Sequence, residues 1–374
     1  MDAIAQWLVL LGAPGLGSTA LIQLLERCGT PRAILATPTR TLASWGIPPA
    51  TCQWLRHPDL APVERDLALL RQLSARVIPI SDPLYPALLK EISGPPLVLF
   101  VRGDAGCLAS RQLAIVGSRQ ASPAGKETAR ELAFSASKAG LVITSGLARG
   151  IDGAAHRGAL DANGKTIAVM ASGPERIYPA VHRQLAEHII ENGALVSEFP
   201  PGVAPRRAHF PSRNRIISGL SAGTLVVEAA VRSGSLITAR LAGEQGREVM
   251  AVPGSIHSPT ARGCHRLIRD GARLVESISD VLEELGFLVR NGPAAATTPA
   301  HNCFDGLGAE EKTLLDFMGF DPASPDQLIT RSGLTADAVC SILFSLELQG
   351  IIEPVSGGTF VRVSKRSLNE RKRT

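Results

Sequence analysis

The stretch "LAIVGSRQASPAG" (residues 113–125) ends an apolar run on Gly117-Ser118-Arg119 and starts a helix-like segment at Ser122-Pro123. Glycine allows a tight turn off a strand, and amides at a helix start can face an anion. Arg119 can place two parallel hydrogen bonds on phosphate oxygens. The chemistry on offer is therefore phosphate binding. The dinucleotide glycine pattern is absent, and no lysine stands where a P-loop needs one. The phosphate expected after Val116 belongs to a polynucleotide, and neither a cofactor nor ATPase activity is expected.

Three further stretches carry related chemistry. In "TSGLARGIDGAAHRGAL", Ser145, Gly146 and Gly150 form a second small-residue turn. Asp152 and His156 share a helix face at i, i+4 spacing, which suits an acid–base pair. No nucleophile accompanies them, so Asp152 is expected to act as an N-cap and no catalytic residue is assigned. In "PRRAHFPSRNRIISGLSAGTLVVEAA", Arg206, Arg207, Arg213 and Arg215 fall within ten residues with no acid among them, and Phe210 and Asn214 lie inside the cluster. Cations that follow a backbone, beside an aromatic that stacks a base, suit single-stranded nucleic acid. In "RSGSLITARLAGEQGREVMAVPG", Ser233-Gly234-Ser235 begins a helix near Glu228 and adds another anion site. The expected DNA-binding set is Gly117, Ser118, Arg119, Ser145, Gly146, Arg206, Arg207, Phe210, Arg213, Asn214, Arg215, Ser233, Gly234 and Ser235.

The elements that must position these residues follow from pattern. Short apolar runs at 97–101, 113–117, 141–144, 166–171, 194–198, 224–228, 248–252 and 272–275 alternate with helical segments, as in strands covered on both faces. Ser122 is placed to cap the first helix, with Pro123 at its first position and Gly140 near its end. This rhythm predicts an α/β protein with a Rossmann-like, doubly wound, mostly parallel sheet over residues 76–290. Residues 1–75 read as a helical domain in which Gly15-Leu16-Gly17 resembles a helix-hairpin-helix turn. Residues 291–304 read as a linker, 305–364 as a winged helix of three helices and two strands, and 365–374 as a basic tail.

The chain has 374 residues, enough for two or three domains. Its 4% aromatic content requires cores built of Leu, Ile, Val and Ala. The six cysteines form no CxxC pair, so no zinc knuckle, other metal site or disulfide framework is expected. No secretory pattern opens the chain and no apolar run reaches membrane-spanning length, which predicts a soluble, cytoplasmic protein without a membrane partner.

The formal net charge of +5 hides an asymmetry. Residues 110–275 carry 21 Lys plus Arg against 12 Asp plus Glu, a net of +9. Residues 305–349 carry 2 basic against 8 acidic residues, a net of −6. The sheet domain is thus the part suited to a polyanion. The expected recognition helix, Thr335 to Gln349, has no Lys or Arg and would repel duplex phosphates. The winged helix is expected to bind protein, and a duplex-binding transcription factor is disfavoured.

Taken in order, "GSR", "SGLARGIDGAAH", "FPSRNRIISGLS", "EAAVRSGSLITARLAGEQGREVMAVPG" and "GCHRLIRDGA" resemble the DNA-processing protein A (DprA/Smf) family. The resemblance is strong over about residues 80–280 and weak at both ends. It implies a Rossmann-like domain that binds single-stranded DNA with little sequence preference, protects it, and loads RecA recombinase on it in natural transformation. It also implies a homodimer, with Leu267 and Ile268 at the interface, and flanking SAM-like (helix-hairpin-helix) and winged-helix modules. By position Arg119 matches the family's DNA-binding arginine. Two positions depart: Ala124 replaces a frequent tyrosine, and His265 replaces the usual asparagine. A rival enzyme reading rests on "SAGTLVVEAA", which resembles the Gly-Thr-x-x-Glu element of nucleotide N-glycosidic hydrolases of the lysine-decarboxylase-like group, with Glu228 as the working carboxylate. The usual double glycine is Ala222-Gly223 here.

Overall fold

In a computed structural model, residues 2–286, 307–319, 322–355 and 357–362 are described. The expected linker (291–304) and basic tail (365–374) lie outside them. Two compact units are present, one reaching from the N-terminus to Leu285 apart from residues 122–128, the other holding the C-terminal region.

The first unit is organised on nine strands: β1 (Ala75–Pro79), β2 (Val98–Gly103), β3 (Gln112–Val116), β4 (Val142–Ser145), β5 (Thr166–Val169), β6 (Ala194–Ser197), β7 (Gly223–Val226), β8 (Glu248–Ala251) and β9 (Arg273–Leu274). Their spatial order is β1-β2-β6-β5-β4-β3-β7-β8-β9. From β6 to β9 every pairing is parallel, whereas β1 and β2 join antiparallel at one edge. All eight strands read from the sequence are present. The ninth, β1, is not among the sequence expectations: it is an edge strand, half-buried at its start, and contains Arg76 and a proline.

Alternation along the central strands fills both faces. Ile167 and Val169 join the core that includes Ile216 and Ile217, while Ala168 points to the other side with Leu185 and Ile189. Ser122 caps the helix Pro123–Lys138 through its Oγ, which accepts from the Gly125 amide at 2.9 Å. The six N-terminal helices between Ala3 and Gln72 do not make a separate core. Their Leu8, Leu10, Leu21 and Leu24 pack with Val77, Val98 and Phe100 of β1 and β2.

The C-terminal unit has helices Ala309–Met318, Pro325–Ser332 and Ala336–Leu348, followed by the hairpin of β10 (Ile352–Val355) and β11 (Thr359–Arg362). This is the expected winged-helix order. Val339, Ile342, Leu343 and Leu346 hold the third helix to the core, while Phe344 (64% exposed) and Leu348 (72% exposed) face solvent.

Candidate nucleic-acid interface

Chain direction around the sheet reverses between β3 and β7, because β4, β5 and β6 lie on one side of β3 and β7, β8 and β9 on the other. At such a switch point the loops leaving the strand ends part and open a crevice. Here its volume is about 630 Å³. Its lining draws Gly117, Ser118 and Arg119 from the loop after β3, Ala148 and Asp152 from beyond β4, Arg207, Phe210, Arg213 and Asn214 from the helix His209–Leu220 and the turn before it, and Arg232 to Ser235 from beyond β7. All four motif stretches therefore meet at one place.

The loop after β3 is tied down on both sides. The Ser118 amide donates to the Glu228 carbonyl at 2.7 Å, and the Ser118 carbonyl accepts from the Ile151 amide at 3.2 Å. Gly117 is required by close approach: a Cβ there would lie 2.9 Å from the Glu228 carbonyl oxygen. Gly150 is required by its backbone, with φ of 78°. These ties occupy the Ser118 amide, and the helix start at Pro123, whose amides the sequence offered to an anion, is capped by its own Ser122. What the loop presents to solvent is the Arg119 side chain, which is exposed.

The guanidinium of Arg119 lies 5.0 Å from the centroid of the Phe210 ring, and that of Arg213 lies 5.7 Å from the same centroid. Arg207 and Arg232 are exposed at the rim, and their side chains make no hydrogen bond or ion pair among the described residues. Arg206 is exposed but does not line the crevice. Ser233 and Ser235 lie at the start of the helix Ser235–Glu244, their hydroxyls 2.7 Å apart, and Asn214 Nδ2 donates to the Gly234 carbonyl at 3.4 Å.

Several expected residues take other positions. Arg213 is 5% exposed and donates to the carbonyls of Gly146 and of Val169 (3.1 Å). Burial lowers its pKa to about 10, with Asp152 pulling it upward. It braces the crevice from inside. Arg215 is ion-paired with Glu198 and does not line the crevice. Ser145 is buried and donates to the Ile115 carbonyl at 2.6 Å, so its hydroxyl serves the sheet. The Gly146 amide donates to Asp152 Oδ2 at 3.2 Å.

Asp152 is not the N-cap; Gly150 holds that position. Asp152 lies inside the first turn and accepts from the amides of Gly146 and Ala148, bracing the loop after β4. Burial raises its pKa, opposed chiefly by the charge of Arg213. His156 is fully buried on the same helix and hydrogen-bonds Thr166 Oγ1 through Nδ1 at 2.7 Å. The Thr166 hydroxyl donates to the Ile143 carbonyl, so the imidazole is the donor in the first bond. Burial depresses the His156 pKa to about 3. This is structural chemistry; the imidazole does not line the crevice. The Glu228 side chain is likewise not among the described lining residues.

Leu267 and Ile268, on the helix Arg262–Arg269, pack partly against the sheet core. Beside that helix a second groove of about 800 Å³ is lined by Val231, Ile237 and Leu267 among others. Val231 and Ile237 are exposed, and so is Ile256, near His265. The His265 ring donates through Nε2 to the Gly254 carbonyl at 2.9 Å. No helix among the described residues is long and apolar enough to cross a membrane.

Residues 76–286 match the family model for DNA recombination-mediator protein A. The chain belongs to the DprA/Smf family. Residues 293–358 match the DprA winged helix domain. Protein Smf of Escherichia coli is 44% identical over 309 residues, covering 81% of each chain. DNA processing protein DprA of Bacillus subtilis is 48% identical over 222 residues, 59% of this chain and 75% of that one. Among solved structures, DNA processing protein A from Streptococcus pneumoniae superposes with a TM-score of 0.69 at 36% identity, covering 76% of this chain and 99% of that one. The protein from Helicobacter pylori, described for its mode of binding single-stranded DNA, gives 0.52 at 27% identity, covering 57% and 96%.

Two residues escaped the sequence reading, one lining the crevice and one beside it. Arg232 stands immediately before Ser233-Gly234-Ser235, so its signal was present in the quoted motif. Tyr178 had no local signal: it lies on the loop after β5, and only folding sets it against Phe210, with ring centroids 5.9 Å apart.

Proposed function

We propose that this DprA/Smf protein binds single-stranded DNA with little sequence preference by holding its phosphates at the crevice between β3 and β7. The observation that carries this reading is the meeting of exposed Arg119, Arg207 and Arg232 around Phe210 at that switch point. Unpaired cations at a rim attract a charged backbone, whereas a base reader would need hydrogen-bonding groups fixed at base edges. The likeness to the Helicobacter pylori protein supports the same ligand. The protein acts by binding, without catalysis, in the cytoplasm. It forms a homodimer through the helix of Leu267 and Ile268 and the exposed apolar residues beside it, Val231, Ile237 and Ile256, protects incoming strands and loads RecA recombinase onto them in natural transformation.

The test is titration of the full chain with labelled oligo-dT at several salt concentrations. Log affinity is expected to fall linearly with log salt, by about 0.7 for each phosphate neutralised. No binding at low salt would end the reading. Ribose 5-phosphate release from AMP that disappears in Glu228→Gln would replace it with the N-glycosidic hydrolase.

A further inference from the structure

Sequence assigns base stacking to Phe210, yet the Phe210 ring is already engaged. Two guanidinium groups, of Arg119 and Arg213, lie within cation–π reach of it, and the Tyr178 ring meets it at an interplanar angle of 64°. Phe210 is half-buried, whereas Tyr178 is 52% exposed and is the one exposed aromatic among the described residues of the first unit. The Tyr178 hydroxyl makes no hydrogen bond among the described residues, so the contact that orients the ring is the one with Phe210. Its loop leaves the carboxyl end of β5, two strands from β3 on the side away from β7. A strand whose phosphate sits on Arg119 and which runs over the ends of β4 and β5 meets Tyr178 next.

We propose that Tyr178 is a base-stacking platform for the strand that leaves the crevice, with Phe210 as the positioning residue that sets both Tyr178 and the Arg119 guanidinium. This rests on the single-stranded DNA reading above and extends it from phosphate contact to base contact. Stacking on an aromatic face tolerates any base, which agrees with binding of low sequence preference. It adds no phosphate contact, so it contributes affinity without adding to the salt dependence.

The experiment compares the full-length wild-type, Tyr178→Ala, Tyr178→Leu, Tyr178→Phe and Arg119→Ala chains on oligo-dT and on an oligomer of abasic deoxyribose phosphates. Tyr178→Ala is expected to weaken oligo-dT binding by about 5- to 150-fold with an unchanged salt slope. Tyr178→Leu, which keeps apolar contact with Phe210 but has no π face, should lose as much, and Tyr178→Phe should stay within about twofold of wild type. On the abasic oligomer all three should match wild type. If Tyr178→Ala and Tyr178→Leu bind oligo-dT as wild type does while Arg119→Ala is weakened, the platform is refuted and the phosphate reading survives. An equal loss on the abasic oligomer also refutes it. If wild type fails to bind oligo-dT, the functional reading falls and takes the platform with it.

Discussion

Arg213 and Gly146 form one buried unit. The Arg213 guanidinium donates to the Gly146 carbonyl, and a Cβ on residue 146 would occupy the space of that guanidinium. With Asp152 bracing the same loop through the Gly146 and Ala148 amides, this unit fixes the crevice wall beneath Phe210.

Arg213→Ala therefore leaves the Gly146 and Val169 carbonyls without their donor and Asp152 without its compensating cation. Loss of one partner from such a buried set costs about 3–5 kcal/mol. Chemical denaturation is expected to report that loss, and Gly146→Ala should destabilise by displacing the same side chain. A variant as stable as wild type would mean that Arg213 is a surface ligand after all.

Arg119→Ala and Arg207→Ala are each expected to reduce the salt slope of oligo-dT binding by about 0.7, weakening all sequences alike. Arg215→Ala should leave the slope unchanged, because Arg215 is engaged by Glu198. Fluorescence titrations between low and physiological salt separate the three. A slope change in Arg215→Ala would contradict the assignment.

His156 supplies a pH signature of stability. Its pKa of about 3 in the fold lies below the ordinary histidine value of 6.5. The unfolded chain therefore binds the proton more tightly, and stability present above about pH 6.5 drains as pH falls toward 3, at up to about 1.4 kcal/mol per pH unit. His156→Asn, which keeps a donor for Thr166, should flatten that acid limb by about one proton. Denaturation midpoints between pH 7 and pH 4 provide the check.

Removing residues 305–364 should change intrinsic oligo-dT affinity by less than about twofold, since the exposed face of the helix Ala336–Leu348 offers Phe344 and Leu348 and no cation to attract phosphate. A tenfold loss on removing 305–364 alone would place DNA on the winged helix.

Wild type is expected to sediment as the proposed homodimer, and Val231→Asp combined with Ile256→Asp as a monomer. Both side chains are exposed, so the charges enter solvent in the monomer and are buried only in an interface. An unchanged sedimentation coefficient would move the interface elsewhere.

By itself the sequence determined the α/β architecture, because strands covered on both faces must be short apolar runs, and residues 113–117 and 194–198 are such runs. It also singled out Gly117, Arg119 and Ser233-Gly234-Ser235 on segments that follow strands, and the fold brings these residues to one crevice. It missed β1, because an edge strand containing Pro79 lacks a central strand's apolar signature. Tertiary structure alone decided which arginines face solvent. Arg207 and Arg213 are of one type and six residues apart, but Arg207 lies on the turn before the helix and Arg213 lies on its inward face, over carbonyls that needed a donor. Only folding brought Tyr178 to Phe210 and turned Asp152 from a cap into a buried brace. Direction in space is not encoded in residue type: it depends on which unsatisfied group each side chain meets once the sheet has closed.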